Sequence, residues 1–160
     1  MDQDPRAEEE TPRERANREL IELLNELRVV LPGVTVLLAF LLAVPFANGW
    51  KRVTSFQRDV FVVAFLSTAV SVALLTAPSS YHRLRFRHGN KEHMLKVGNR
   101  LSIAGIAASA VSLEAVVLLV MDSVVSKGAA IAAAAVLFAV VASLWYGLPL
   151  FAALRDRSAR

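Results

Sequence analysis

Residues 29–47 read VVLPGVTVLLAFLLAVPFA, nineteen residues without a charge. An α-helix rises 1.5 Å per residue, so this run makes about 28 Å of helix, close to the roughly 30 Å hydrocarbon core of a bilayer. Three further runs repeat the pattern, at residues 60–78, 101–121 and 129–154, and the only acidic or basic side chain among all four is Glu114. In oil a backbone amide must be bonded within its own segment, and a helix is the structure that does this for a single run. A chain of 160 residues has no soluble core large enough to hide four such runs. The reading is an all-α, polytopic membrane protein: four transmembrane helices in an antiparallel bundle, preceded by an N-terminal amphipathic helix.

Outward from the first span, the preceding residues are polar. Residues 1–11 are acidic and read as a disordered tail. Thr11-Pro12-Arg13-Glu14 is a helix start, with Thr11 as cap, Pro12 at the first helical position and Glu14 closing a capping box. Over residues 12–28, Leu20, Leu24 and Leu27, continued by Leu31, make one apolar stripe. Glu14 with Arg18 and Arg15 with Glu19 are i,i+4 opposite-charge pairs on the other side. This predicts an amphipathic helix lying on the membrane surface or packed on the spans; a short dimerising coil is the other reading. A cleaved signal peptide is not expected, because the polar region before the first span is too long.

The connections set the topology. Residues 48–59 form a short loop with Trp50 and Phe56 as interfacial anchors, and residues 122–128 form another. Residues 79–100, SSYHRLRFRHGNKEHMLKVGNR, are a basic loop, and residues 155–160 a basic tail. With four spans, the N-terminal region, the 79–100 loop and the tail share one side and carry 14 of the 18 Lys and Arg residues. The more basic side faces the cytoplasm, which places a multi-pass protein in the cell membrane with both termini cytoplasmic. The Trp145-Tyr146-Gly147-Leu148-Pro149 cluster reads as an interfacial belt with a kink near that side.

Arg18-Glu19-Leu20, Ala39-Phe40-Leu41-Leu42, Val44-Pro45-Phe46, Ala77-Pro78, Tyr81-His82-Arg83, Phe86-Arg87 and Asn99-Arg100, in that order and spacing, resemble a family of small four-span membrane proteins of unknown function, common in actinobacteria. The resemblance runs from about residue 16 to residue 125. It implies the four-span fold and assigns no activity or catalytic residue.

Three sets of residues are candidates for chemistry. Glu114 is costly within a span, so such a residue turns toward a bundle interior or a cavity. It reads as a structural carboxyl hydrogen-bonded to Ser or Thr of another span, as a proton or cation site, or as a group reaching the outer interface, about two turns away. Ser67 and Ser71, one turn apart, favour close helix packing with bonds to carbonyls, and are companions of Glu114 if it lines a path. Arg83, Arg85, Arg87, Lys91, Lys96 and Arg100 are either a positive-inside anchor or contacts for anionic lipid headgroups. His82, His88 and His93 lack the spacing of a helical zinc site, and a pH-sensing loop has no specific support.

The chain has no cysteine, P-loop, dinucleotide fingerprint, HExxH or GxSxG. No cofactor, metal or nucleic-acid partner is expected, and no enzymatic activity. The leading functional reading is a scaffold or homo-oligomeric assembly in the lipid bilayer, its basic loop meeting anionic lipid or a partner. The alternative is a small oligomeric proton or cation channel or transporter using Glu114.

Overall fold

A computed structural model describes residues 11–85, 91–148, Phe151 and Arg155. The acidic tail over residues 1–10, Arg87, His88, Pro149 and residues 156–160 lie outside the described residues, as do the side chains of His82, Arg85 and Lys91. The described chain is helical, with no strand: α1 Pro12–Ala43, α2 Ser55–Arg85, α3 Lys91–Val124 and α4 Lys127–Ala142. Four segments are long and apolar enough to cross a membrane, at residues 17–46, 55–81, 93–124 and 127–147.

Helix α1 begins as its sequence dictates. The Glu14 amide donates to Thr11 Oγ1 at 3.3 Å and the Thr11 amide donates to Glu14 Oε2 at 2.9 Å, which closes the capping box. The helix then runs unbroken through Pro32, so the amphipathic stretch 12–28 and the first apolar run are one element rather than two. A proline removes one backbone bond from a helix, and the long helical sequence on either side holds the geometry. Thr35 Oγ1 adds a bond to the Leu31 carbonyl at 2.8 Å. Leu20, Leu23, Leu27, Val34 and Leu41 are buried at near-heptad spacing, and Leu24 and Leu31 flank them half-buried. Pro45 opens a short 3₁₀ turn, Val44–Phe46, and α1 ends there.

The residues read as a long basic loop are mostly helix. α2 continues to Arg85 and α3 begins at Lys91. At 34 residues, α3 is about 50 Å long, well beyond the roughly 30 Å of a hydrocarbon core. Its excess carries His93, Lys96 and Arg100, all exposed. We call this the arginine end, and the opposite one, with the 47–54 and 125–126 connections, the turn end.

α2 and α3 are the central pair and run antiparallel; α1 packs on both, and α4 packs on α3. Leu23, Leu27, Val34 and Leu75 form an apolar cluster toward the arginine end. Leu41, Phe61, Ala64 and Ala115 form a second toward the turn end, joined by Trp50. Trp50 meets Phe61 edge-on, with ring centroids 4.6 Å apart, and so belongs partly to the packing and not only to an interface. Outward faces stay apolar: Val29, Phe40, Phe46, Val136 and Phe138 are all exposed. Apolar side chains exposed on this scale suit contact with lipid.

At the turn end, sequence reasoning missed one device. The Gln57 amide donates to Thr54 Oγ1 at 3.2 Å and the Thr54 amide donates to Gln57 Oε1 at 3.1 Å, a capping box that starts α2. Gln57 Nε2 also donates to Asp122 Oδ2 at 2.9 Å, which fixes the start of α2 beside the end of α3. At the arginine end, Gly98 lies under Leu23 and Pro78, and midway Gly105 lies under Leu75.

A Cβ on Gly105 would stand 2.8 Å from both Cγ and Cδ2 of Leu75. Gly105→Ala should therefore lower stability by about 1–3 kcal/mol through overpacking. A Cβ on Gly33 meets nothing within 4 Å, so Gly33→Ala should be neutral or stabilising by about 0.5–1 kcal/mol. Thermal unfolding in detergent compares the two; equal melting temperatures would refute the close α2–α3 contact.

Candidate functional site

The middle of the α2–α3 contact is polar, and its polar groups are satisfied. Ser71 Oγ donates to the Gly105 carbonyl across the pair at 2.7 Å. Thr68 and Ser112 bond hydroxyl to hydroxyl, and both reach the Ala64 carbonyl, at 2.6 and 3.1 Å. Thr68, Ser71 and Ser112 are fully buried. Close approach at Gly105 is what brings these hydroxyls within reach of the opposite backbone. Ser67 instead donates back to Val63 and Ala64 of its own helix, at 2.6 and 3.2 Å. Of the two serines singled out by spacing, Ser71 crosses to α3 and Ser67 does not. Thr68, next in sequence, is the second crossing residue, and the i,i+4 criterion passed over it.

Glu114 lies two residues beyond Ser112. A helix turns about 200° in two residues, so Glu114 leaves the face that meets α2. α3 continues to Val124, which puts ten residues, or about 15 Å, between Glu114 and the helix end. The side chain is half-buried, and Oε1 is buried with no hydrogen-bond partner among the described residues. Most buried side-chain polar atoms in proteins are bonded, so an orphan carboxyl oxygen requires a reason.

Two cavities flank it. The first, about 420 Å³, lies between α3 and α4 and is walled by Ala107, Ala110, Val111, Phe138, Val141 and Ala142, with Tyr146 at one end. The second, about 350 Å³, lies among α2, α3 and α4, and reaches Asp59 near the start of α2. Glu114 and Val111 line both, and neither lining includes Ser67 or Ser71. Beside Tyr146, α4 changes register: Ser143–Gly147 is a π-helical turn, and Ser143 Oγ donates to the Ala139 carbonyl. Such single π turns occur often at functional sites. This π turn takes in Trp145, Tyr146 and Gly147 of the aromatic cluster, at a cavity wall.

The cationic candidates sit apart, at the arginine end. Arg83, Lys96 and Arg100 are exposed. Lys96 and Asn99 face Glu19, Glu22 and Glu26 of α1 across a groove of about 420 Å³. Thus the polar side of α1 looks partly onto α3 and not only outward. Arg18 pairs with Glu22 at 3.4 Å, an exposed i,i+4 bridge. Near the turn end, Lys127 Nζ lies 4.5 Å over the Phe56 ring.

Four apolar helices of spanning length, with one carboxyl between cavities, define a class: a chain compatible with a multi-pass α-helical membrane protein. Residues 9–149 match a family described as a family of unknown function (DUF6328), and the chain belongs to that family. The match continues through α4, further than the motifs before residue 125 indicated. No curated protein and no solved structure matches the chain.

The satisfied hydroxyls and the orphan carboxyl should respond in opposite senses. Thr68→Val should destabilise by about 0.5–1.5 kcal/mol, the range of interhelical hydroxyl bonds. Glu114→Leu should stabilise by about 1–3 kcal/mol, since it removes an unbonded polar group from apolar surroundings. Melting curves in detergent test both; a Glu114→Leu protein less stable than wild type would reveal a structural partner for the carboxyl.

Proposed function

We propose that this chain is a non-enzymatic multi-pass membrane protein that takes up a proton or a cation at Glu114. The observation that carries the reading is Glu114 Oε1, buried and without a hydrogen-bond partner among the described residues, on a side chain that lines two cavities. A carboxylate in apolar surroundings needs its charge neutralised, by a proton, a basic side chain or a bound cation. Among the described residues no Lys, Arg or His lines either cavity, which leaves the first and the last. The cavity beside Asp59 supplies an approach from the turn end. Four helices of one chain leave little room for a pore, so transport across the bilayer is assigned to an oligomer.

Liposomes holding the purified protein should pass protons or a monovalent cation down an imposed gradient. Glu114→Gln should reduce that flux by about tenfold or more, as expected when an essential charged group is lost. No flux from either form would sink the transport reading.

A second reading concerns the arginine end. Arg83, Lys96 and Arg100 are exposed there, beyond the apolar part of their helices. This supports a cytoplasmic orientation and contact with anionic lipid headgroups, each basic residue near such a surface contributing about 1 kcal/mol. Nanodiscs with anionic lipid should raise the melting temperature over neutral ones, and Arg83→Gln with Lys96→Gln and Arg100→Gln should remove the difference. A difference unchanged by the triple substitution counts against headgroup contact at these residues.

A further inference from the structure

We infer that the Glu114 site takes a lipophilic amine, with its ammonium on the carboxylate and its apolar body in the cavity between α3 and α4. The inference rests on the reading of Glu114 as a proton or cation site, and names the kind of cation. A hydrated metal ion is a poor fit, because it needs several oxygen ligands. Glu114 and Tyr146 are the polar residues that line the α3–α4 cavity, too few to ligate a metal ion, and its other walls are Ala, Val and Phe. An ammonium with an apolar body suits both halves of the site. It donates to the Glu114 carboxyl, whose Oε1 has no partner among the described residues and reaches the cavity by a turn of the side chain, and it covers apolar walls that water would wet poorly.

The volume and the rings point the same way. About 420 Å³ falls in the usual range for small-molecule sites, roughly 300–1,000 Å³. Phe138 and Tyr146 stand on the same cavity as Glu114, so an ammonium there also meets aromatic faces. Every residue of this cavity belongs to a segment of spanning length, so in a bilayer its open side would meet lipid, where such amines concentrate. The second cavity leads from Glu114 toward Asp59, a route by which the charged end reaches the turn end. Binding the ammonium in place of the carboxyl proton keeps the site neutral and releases one proton. Asp59 and Tyr146 are the other titratable groups lining the two cavities.

The test uses the full chain in nanodiscs of neutral phosphatidylcholine, with 2-(1-naphthyl)ethylamine as a fluorescent probe and 2-(1-naphthyl)ethanol as its uncharged counterpart. Wild type should bind the amine saturably and the alcohol at least about tenfold more weakly, the factor expected for a lost charge-assisted hydrogen bond. Glu114→Gln should weaken amine binding by a similar factor. Ala110→Leu should fill the cavity and block the amine while leaving Glu114 in place. Equal binding of amine and alcohol would show only an apolar crevice that any apolar chain fills, and would overturn the inference; so would amine binding unchanged in Glu114→Gln. An infrared carboxyl band, present in wild type and absent in Glu114→Gln, separates the two levels. If that band titrates with pH and the amine does not bind, the amine is wrong and the proton site stands. If the band does not respond to pH and the amine does not displace it, both fail.

Discussion

Inside hydrocarbon every polar group must find its partner within the protein, because no water is there to supply one. That constraint shapes this chain at each level. It coils the four apolar runs into helices, whose amides bond internally. It then selects which side chains can sit between them. Thr68, Ser71 and Ser112 are admitted to the centre of the α2–α3 contact because the Gly105 carbonyl accepts from Ser71, and the Ala64 carbonyl accepts from one of the Thr68–Ser112 pair while the other donates to its partner. Glu114 obeys the same rule only if a proton or a ligand completes it.

The hydroxyl bonds depend in turn on a small residue. Gly105 lets Leu75 lie against the α3 backbone, and with the helices that close, Ser71 reaches the Gly105 carbonyl. Van der Waals contact and hydrogen bonding are therefore not separable contributions here. The apolar clusters on either side of this layer, around Leu27 and around Phe61, hold it from both ends. α4 stands differently. It packs on α3, leaves cavities along the seam, and changes to a π turn where Tyr146 meets one of them. The most firmly packed helices carry the satisfied polar groups, and the looser seam carries the unsatisfied one.

The two ends of the molecule differ in chemistry. At the arginine end, helices outrun their apolar stretches, and the acidic side of α1 faces Lys96 and Asn99 of α3. At the turn end the connections are short, Gln57 ties α2 to Asp122, and Lys127 lies over Phe56. This asymmetry distinguishes the two ends of the helices before any ligand is considered.

The sequence by itself determined the four apolar helices, the capping box at Thr11, the apolar stripe of α1 and the exceptional character of Glu114. These are local properties: backbone bonding, periodicity and the cost of a charge act within a few turns of one chain. It also offered Ser67 and Ser71 alike as helix-packing residues, since a buried hydroxyl needs a carbonyl. Only the tertiary structure decided that α1 runs through Pro32, that Thr68 rather than Ser67 joins Ser71 across the contact, and that Gln57 reaches Asp122. It alone showed that Glu114 lines two cavities. Those outcomes depend on which residues of distant helices come level with one another. Helix rotation and register are set by close packing at positions such as Gly105, and no single segment encodes them.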